Sequence, residues 1–270
     1  MSRLSDKSYV KKQYQKSVNL ETRIGLHAAY SVNPYGWFPW VFDALDLQPH
    51  TRVCEIGCGP GGLWVANAQR LPGAIELALM DMSPAMVAQA RAAVAPWHPT
   101  LACLVGDAQA LPFTPESFDL VIANHMLYHV PDRARALAEM RRILRPGGRL
   151  CAATNGRDHM VELREAISAV VPEGDRWDEP HALPFTLGST GARELEVQFE
   201  DVTIRRYVDH LAVAGVEPLI EYAASVSAET TLGDRGEALA SLLAQHATPD
   251  GTIRITKDSG LFLARRGGSD

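Results

Sequence analysis

Val53-Cys54-Glu55-Ile56-Gly57-Cys58-Gly59-Pro60-Gly61-Gly62 decides how this 270-residue chain is read. An apolar run, Thr51–Ile56, ends in a cluster of glycines, and Trp64, Ala68 and Leu71 then recur at helical spacing. A strand therefore enters a tight turn and leaves it as a helix. Glycine adopts positive φ at no steric cost and lets a ligand approach the backbone closely. The unpaired N–H groups at the start of the following helix favour a negative ligand group. Gly57, Gly59 and Gly62 also satisfy G-x-G-x-x-G, the spacing of dinucleotide-binding loops. Two acids divide the possibilities. Glu55 stands two residues before the first glycine, where a carboxylate opposes a pyrophosphate and suits a cation. Asp81 ends the next apolar run, 22 residues after Gly59, and can accept from both hydroxyls of a ribose, which serves either kind of nucleotide.

Outward from this loop, short apolar runs alternate with helical periodicity through residue 154. Ile75–Met80 is the second run. Ser83 then offers an N-cap and Pro84 a first helical residue, with Met86, Ala90 and Val94 on one face. Leu101–Val105 and Leu120–Ala123 are the third and fourth runs. Pro131-Asp132 opens a helix whose expected buried face is Ala134, Leu137, Met140 and Leu144. Pro146-Gly147-Gly148 stops it, and Leu150–Thr154 is the fifth run. Continuously apolar strands alternating with helices mean an α/β doubly wound, parallel sheet covered on both faces. Right-handed crossovers then place all the strand C-termini on one edge, where ligands bind.

The flanks are expected to be a lid on a single domain spanning 1–270. Residues 1–50 read as an aromatic-rich helical lid, 51–154 as the cofactor-binding core, 155–200 as a substrate-lid insertion and 201–270 as C-terminal strands and helices. The insertion opens with a helix around Met160–Val171 and continues as a loop holding Pro172, Gly174, Pro180, Pro184 and Gly188. Extended chain is expected over Val202–Val213, helices over Val216–Ser227 and Glu237–Gln245, and a last strand over Thr252–Leu263 that is irregular near Ser259-Gly260.

Composition narrows the function. Hydrophobic residues make up 46% and charged residues 21%, enough for a sizeable core and too apolar for a disordered chain. No apolar run reaches the roughly 18–20 residues that span a bilayer, and Met1–Leu20 lacks the apolar core of a signal peptide, so a cytoplasmic protein without a membrane partner is expected. Net charge is −6, and the basic first twenty residues carry +4 of it, leaving an acidic body that argues against nucleic acid as a partner. Cys54, Cys58, Cys103 and Cys151 form no C-x-x-C pair, so neither a metal site nor disulfides are expected.

Five segments in order carry a specific likeness. Glu55-Ile56-Gly57-Cys58-Gly59-Pro60-Gly61 resembles the first motif of class I S-adenosylmethionine-dependent methyltransferases. Asp81 in Met80-Asp81-Met82-Ser83 looks like the acidic ribose ligand of that family. Gly106-Asp107-Ala108-Gln109-Ala110-Leu111-Pro112-Phe113 looks like the segment whose Asp107 and Ala108 contact adenine. Phe118–Asn124 looks like the fourth strand, with Asn124 beside the methionine moiety, and Leu144–Leu150 like the turn into the fifth. The type resembled is the small-molecule one related to quinone-pathway C-methyltransferases. The resemblance implies a seven-stranded mixed sheet, order 3-2-1-4-5-7-6, with the seventh strand antiparallel. It implies S-adenosylmethionine as cofactor, S-adenosylhomocysteine as product, and Glu55, Gly57, Cys58, Gly59, Gly61, Asp81, Met82, Asp107, Ala108 and Asn124 as the residues that hold it.

Methyl transfer from a sulfonium is an in-line displacement, so alignment is the main task and a base adds only about 10²–10⁴-fold. His125, one residue past the fourth strand, is the expected proton acceptor or pocket wall, with Tyr128 beside it as a second candidate. Tyr14, Tyr30 and His129 are candidates for substrate contact, whereas Trp37 and Trp40 read as core. Asp81→Ala is expected to weaken cofactor binding while leaving the melting temperature of the apo protein nearly unchanged. Two other functions use the same loop: a cofactor-binding relative that does not transfer methyl, such as a cyclase or regulatory binder, and an NAD-dependent oxidoreductase. The acceptor is expected to be a small molecule and the chain a monomer or homodimer.

Overall fold

β1 (Arg52–Ile56) is buried from its second residue onward and has a parallel neighbour on each side, which only a central strand can have. The computed structural model describes residues 17–98, 100–171, 184–226, 232 and 235–268, with side chains from residue 22 onward. β2 (Glu76–Asp81) pairs with β1 and with β3 (Ala102–Val105), and β4 (Phe118–Asn124) pairs with β1 and with β5 (Leu144–Asn155), all parallel. β6 (Glu200–Ala214) and β7 (Thr252–Arg265) complete a seven-stranded sheet of order β3-β2-β1-β4-β5-β7-β6. Gly147 N–H donates to Arg266 O at 2.9 Å, and Gly156 N–H to Asp258 O at 2.8 Å. Residue numbers rise along β5 as they fall along β7, so this pair is antiparallel and the sheet is mixed. The expected strand order and the mixed α/β sheet are what is found.

The chain divides into two compact units, residues 37–155 with 185–207 and 260–270, and residues 1–36 with 156–184 and 208–259. In the first unit the sheet has an apolar layer on each face. Alternate residues of β1 part to opposite sides: Cys54 and Ile56 join one layer with Met80, Val121, Leu137 and Phe262, and Val53 joins the other with Leu79, Ile122, Trp64 and Val94. The helices of this unit are α2 (Trp37–Leu45), α3 (Gly62–Ala66), α4 (Pro84–Val94), α5 (Arg133–Ile143) and α7 (Ser189–Glu196). Ser83 caps α4 by accepting from Met86 N–H, and Asp132 caps α5 by accepting from Arg135 N–H. In the second unit α1 (Ser17–Tyr30), α6 (Val161–Val170), α8 (Glu217–Val226) and α9 (Arg235–Ala244) surround a core of Leu26, Leu163, Ile167, Leu211, Leu219, Leu239, Leu243 and Ile253. There Asp209 of β6 pairs with Lys257 of β7 at 2.7 Å and also accepts from Asn33 N–H at 3.0 Å.

Several boundaries differ from the sequence expectation. The helix after the glycine loop ends at Ala66, because the fully buried Asn67 turns its amide onto Leu63 O (2.8 Å) and Phe38 O (3.2 Å). α5 buries Ala136, Leu137, Met140 and Ile143, with Ala134 exposed and Leu144 already in β5. α7 forms directly after the expected loop, in a stretch for which the sequence suggests no element, and its Gly191 is required by close packing, since a Cβ there would lie 2.4 Å from Thr186 O and 2.8 Å from Phe262 Cζ. β7 runs unbroken through Ser259-Gly260, where the glycine admits the neighbouring chain: a Cβ would meet Arg205 O at 2.3 Å. Pro172, Gly174 and Pro180 of the expected loop lie outside the described residues, as does Tyr14.

Candidate functional site

The loop after β1 has three glycines with positive φ, Gly57 at 70°, Gly59 at 52° and Gly61 at 82°. They do different work. A Cβ on Gly57 would lie 2.6 Å from Met126 Cβ, and one on Gly61 would press on Val94 at 3.2 Å, so the protein itself needs these two positions bare. A Cβ on Gly59 would meet nothing within 4 Å. Open space above a bare glycine backbone is what a closely approaching ligand requires.

The end of β2 fastens the loop. Met80 O accepts from Gly57 N–H at 2.7 Å and from Cys58 N–H at 3.1 Å. Asp81 Oδ2 accepts from Gly59 N–H at 3.0 Å, and its Oδ1 accepts from Ser83 N–H at 2.8 Å. Each oxygen keeps a lone pair for a ribose hydroxyl. Burial raises the Asp81 carboxyl above the usual carboxylate range, although these backbone bonds oppose the rise.

Glu55 is 2% exposed and lies among the apolar side chains of one sheet layer. Its Oε2 accepts from Trp64 Nε1–H at 2.6 Å and its Oε1 from Asn124 Nδ2–H at 3.2 Å. Burial pushes its carboxyl up to about 7, with Asp81 adding a smaller repulsion and the two donors pulling down. Asn124 Oδ1 is buried and has no hydrogen-bond partner among the described residues. A buried acceptor without a donor is costly, and one beside a carboxylate is a place for a cation that donates. This leftover oxygen, the open space at Gly59 and the free lone pairs of Asp81 fit a nucleoside that carries a ribose and an ammonium group.

Most of the other candidates lie near the same sheet edge. Gly106 N–H donates to Asp81 O at 3.0 Å, which ties the segment after β3 to the end of β2. Asp107 accepts from Gln109 N–H at 3.0 Å, and Ala108 is buried beside it. Met82 is 38% exposed, and Cys58 is buried with its thiol pKa pushed up by burial, so it is no nucleophile. His125 takes φ 50°, uncommon for a residue with a side chain, and its N–H donates to Ala153 O at 3.0 Å. Its ring lies 5.2 Å from Trp37 and 6.4 Å from Tyr128, which meets His129 at 4.5 Å. Tyr30 belongs to the other unit, where it packs on the apolar core. Among the described residues no group of three or more His, Cys, Asp or Glu side chains is arranged for a metal, and no helix is long and apolar enough to cross a membrane.

A family described as "Methyltransferase domain" matches residues 54–152, the stretch that holds the loop, Asp81, Asp107 and Asn124. Residues 54–152 of this chain thus match a methyltransferase domain. The chain is 34% identical over 166 residues to a malonyl-[acyl-carrier protein] O-methyltransferase of Enterobacter lignolyticus, covering 58% of this chain and 62% of that one. It is 35% identical over 117 residues to a demethylmenaquinone methyltransferase of Beutenbergia cavernae, covering 43% and 46%. With a malonyl-[acyl-carrier protein] O-methyltransferase of Xylella fastidiosa the identity is 29%, and the match spans 60% of that relative's length. Thus the chain spans about three fifths of these two O-methyltransferases. Among solved structures, the [4+2]-cyclase SpnF aligns over 97% of both chains with a TM-score of 0.59 at 19% identity. Phosphoethanolamine N-methyltransferase 2 of Haemonchus contortus, solved with S-adenosyl-L-methionine, aligns over 99% of this chain and 60% of that one with a TM-score of 0.59 at 16% identity. These two likenesses show the fold alone.

The grouping of three aromatic residues of the first unit escapes a reading by sequence. Trp37, Trp40 and Tyr207 form a ring cluster with spacings of 5.2–5.4 Å, and Trp37 is the member that reaches His125. Trp37 and Trp40 read as core because α2 is apolar nearly throughout, which hides the face that carries them, and Tyr207 of β6 belongs to no motif. Trp64, fully buried, is the partner of Glu55, and the signal was available: a buried indole N–H needs an acceptor.

Proposed function

We propose that the chain transfers a methyl group from S-adenosylmethionine to a small-molecule acceptor. The observation that carries this reading is the pair of buried groups Glu55 and Asn124, a carboxylate and a leftover amide oxygen beside the glycine loop. An NAD-type diphosphate meets a negative charge there, whereas an α-ammonium meets two acceptors. In this reading Asp81 holds the ribose hydroxyls, Asp107 and Ala108 the adenine, and Gly57–Gly61 lie against the methionine part. When bound, the cofactor supplies a methyl group activated by a positively charged sulfur.

The chain's own part is alignment. His125 follows β4 directly after Asn124, which supports a place for its imidazole at the methionine end of the site in this reading. There it takes the proton from an acceptor hydroxyl or amine. Trp37 and Tyr128 flank it and give the acceptor apolar ring faces to lie on. The cytoplasm as its place of work is supported by four free thiols.

The test is twofold. Calorimetry measures binding of S-adenosylhomocysteine, and labelled S-adenosylmethionine is offered with a library of small hydroxylated, carboxylated and amine acceptors. Binding with transfer to at least one acceptor is expected. No binding overturns the proposal, and binding without transfer to any acceptor points instead to a relative that uses the cofactor site without methylating.

A further inference from the structure

Trp64 is buried completely, and its indole N–H does one polar task, a 2.6 Å hydrogen bond to Glu55 Oε2. Glu55 reaches Asn124 through its other oxygen at 3.2 Å, which completes a chain indole–carboxylate–amide across α3, β1 and β4. The backbone register puts Glu55 between Leu79 of β2 and Ile122 of β4, both buried. Water therefore cannot solvate the carboxylate from either flank. Among the described residues two side-chain donors compensate its charge, and the indole makes the shorter bond.

We propose that Trp64 is a positioning residue for the cofactor's ammonium: its indole N–H holds the Glu55 carboxylate in place and in the ionised form that the cation needs. The inference rests on the proposed binding of S-adenosylmethionine. A hydrogen bond to a charged acceptor is worth about 1.5–3 kcal/mol, against about 1 kcal/mol for a neutral one, so the indole favours the ionised acid over the protonated one. The charged group facing Glu55 is Asp81 of β2, which opposes ionisation. Cys54, Cys58 and Cys151 also lie close, but burial raises their thiol pKa values so that they remain neutral. Asn124 of β4 is neutral. Removing the indole donor leaves only the longer amide bond against burial and Asp81.

The experiment measures S-adenosylhomocysteine affinity from pH 5.5 to pH 9 for the wild type, Trp64→Phe and Glu55→Gln. Phenylalanine keeps most of the apolar volume and removes the donor. The wild-type affinity is expected to rise with pH to a plateau. In Trp64→Phe the rise is expected to shift upward by a pH unit or more, with at least tenfold weaker binding near neutrality and near-wild-type binding at pH 9. A role in packing alone lowers affinity by one factor at every pH, and that result, or an unmoved profile, overturns the inference. Should Trp64→Phe fail to fold, the wild-type protein decides. One indole N–H proton resonance must move with pH at the midpoint of the affinity profile, and that movement must vanish in Glu55→Gln. An indole spectrum that ignores pH overturns the inference. If the wild type binds no S-adenosylhomocysteine while the indole proton still tracks pH, the functional reading falls and the Trp64–Glu55 coupling stands.

Discussion

Asp81 holds Gly59 from the neighbouring strand, its Oδ2 accepting the Gly59 N–H at 3.0 Å while Oδ1 takes the Ser83 N–H at 2.8 Å. One carboxylate thus shapes the loop after β1 and the turn into α4. The expectation that Asp81 is a ligand residue whose loss leaves the apo protein unharmed needs correcting for these two bonds. Bonds to a charged acceptor contribute about 1.5–3 kcal/mol each before compensation by water. Asp81→Ala is therefore expected to lower S-adenosylhomocysteine affinity tenfold or more and also to lower the apo melting temperature by several degrees. Calorimetry of binding and of unfolding reads both, and an unchanged affinity sinks the ribose assignment.

Glu55 gives the apo protein a pH dependence of definite sign. Its carboxyl sits at about 7 in the fold and near the ordinary 4.5 unfolded, so the folded state binds the extra proton between these values. The stabilising contribution is complete below about pH 4.5 and is lost as pH rises through about 7. Asp81 is shifted in the same direction. In the proposed function cofactor binding runs the opposite way, because an ammonium held by Glu55 prefers the ionised acid. The apo melting temperature is expected to fall from pH 5 to pH 8 relative to Glu55→Gln, while affinity rises toward neutrality by up to about tenfold per unit. Titrations in two buffers of different ionisation enthalpy will show proton release on binding, and its absence places the ammonium away from Glu55.

How far the sequence carried this reading depends on how local each signal is. The loop of Gly57–Gly61, the cap at Ser83 and the acid at Asp81 are legible because turn chemistry and strand length are written in adjacent residues. Helix α7 is not, since Gly188-Ser189-Thr190-Gly191 has the composition of a turn, and the Thr186 carbonyl and the distant Phe262 ring that crowd Gly191 are brought to it by the fold. β5 begins at Leu144, six residues before the apolar run, with its register against β4 shifted between Phe118 and Leu120. The ring cluster of Trp37, Tyr207 and His125 gathers residues from three distant segments, and no periodicity within α2 could name its partners.

The glycine loop separates protein needs from ligand needs. At Gly57 alanine brings both a positive φ and a Cβ 2.6 Å from Met126 Cβ, an atom too close to its own backbone to swing aside. At Gly59 alanine brings the positive φ alone, a cost of about 1–2 kcal/mol. Gly57→Ala is expected to lose more stability than Gly59→Ala, with roughly 2–4 kcal/mol for the first. The affinities should reverse in diagnostic value: Gly59→Ala weakens S-adenosylhomocysteine binding far more than its small stability loss implies. Denaturant unfolding and binding titrations on the two variants provide the comparison, and equal affinity of Gly59→Ala and wild type means that no ligand approaches that backbone.

His125 tests whether the acceptor needs a base. The residue occupies φ 50°, which asparagine tolerates better than most side chains, so His125→Asn removes the imidazole with little added strain. Its Trp37 contact is ring against ring at 5.2 Å, and losing it costs packing at the acceptor end of the site. S-adenosylhomocysteine affinity should stay within a few-fold of wild type, because Glu55, Asn124 and Asp81 are untouched. Single-turnover transfer to whichever acceptor the library yields should fall by about 10²–10⁴-fold if the imidazole takes a proton in the transition state. The loss should also flatten the rise in rate with pH that a titrating histidine imposes. A fall of less than tenfold with the pH profile intact makes His125 a wall of the acceptor site, and the nucleophile is then one that carries no proton to lose or sheds it unaided.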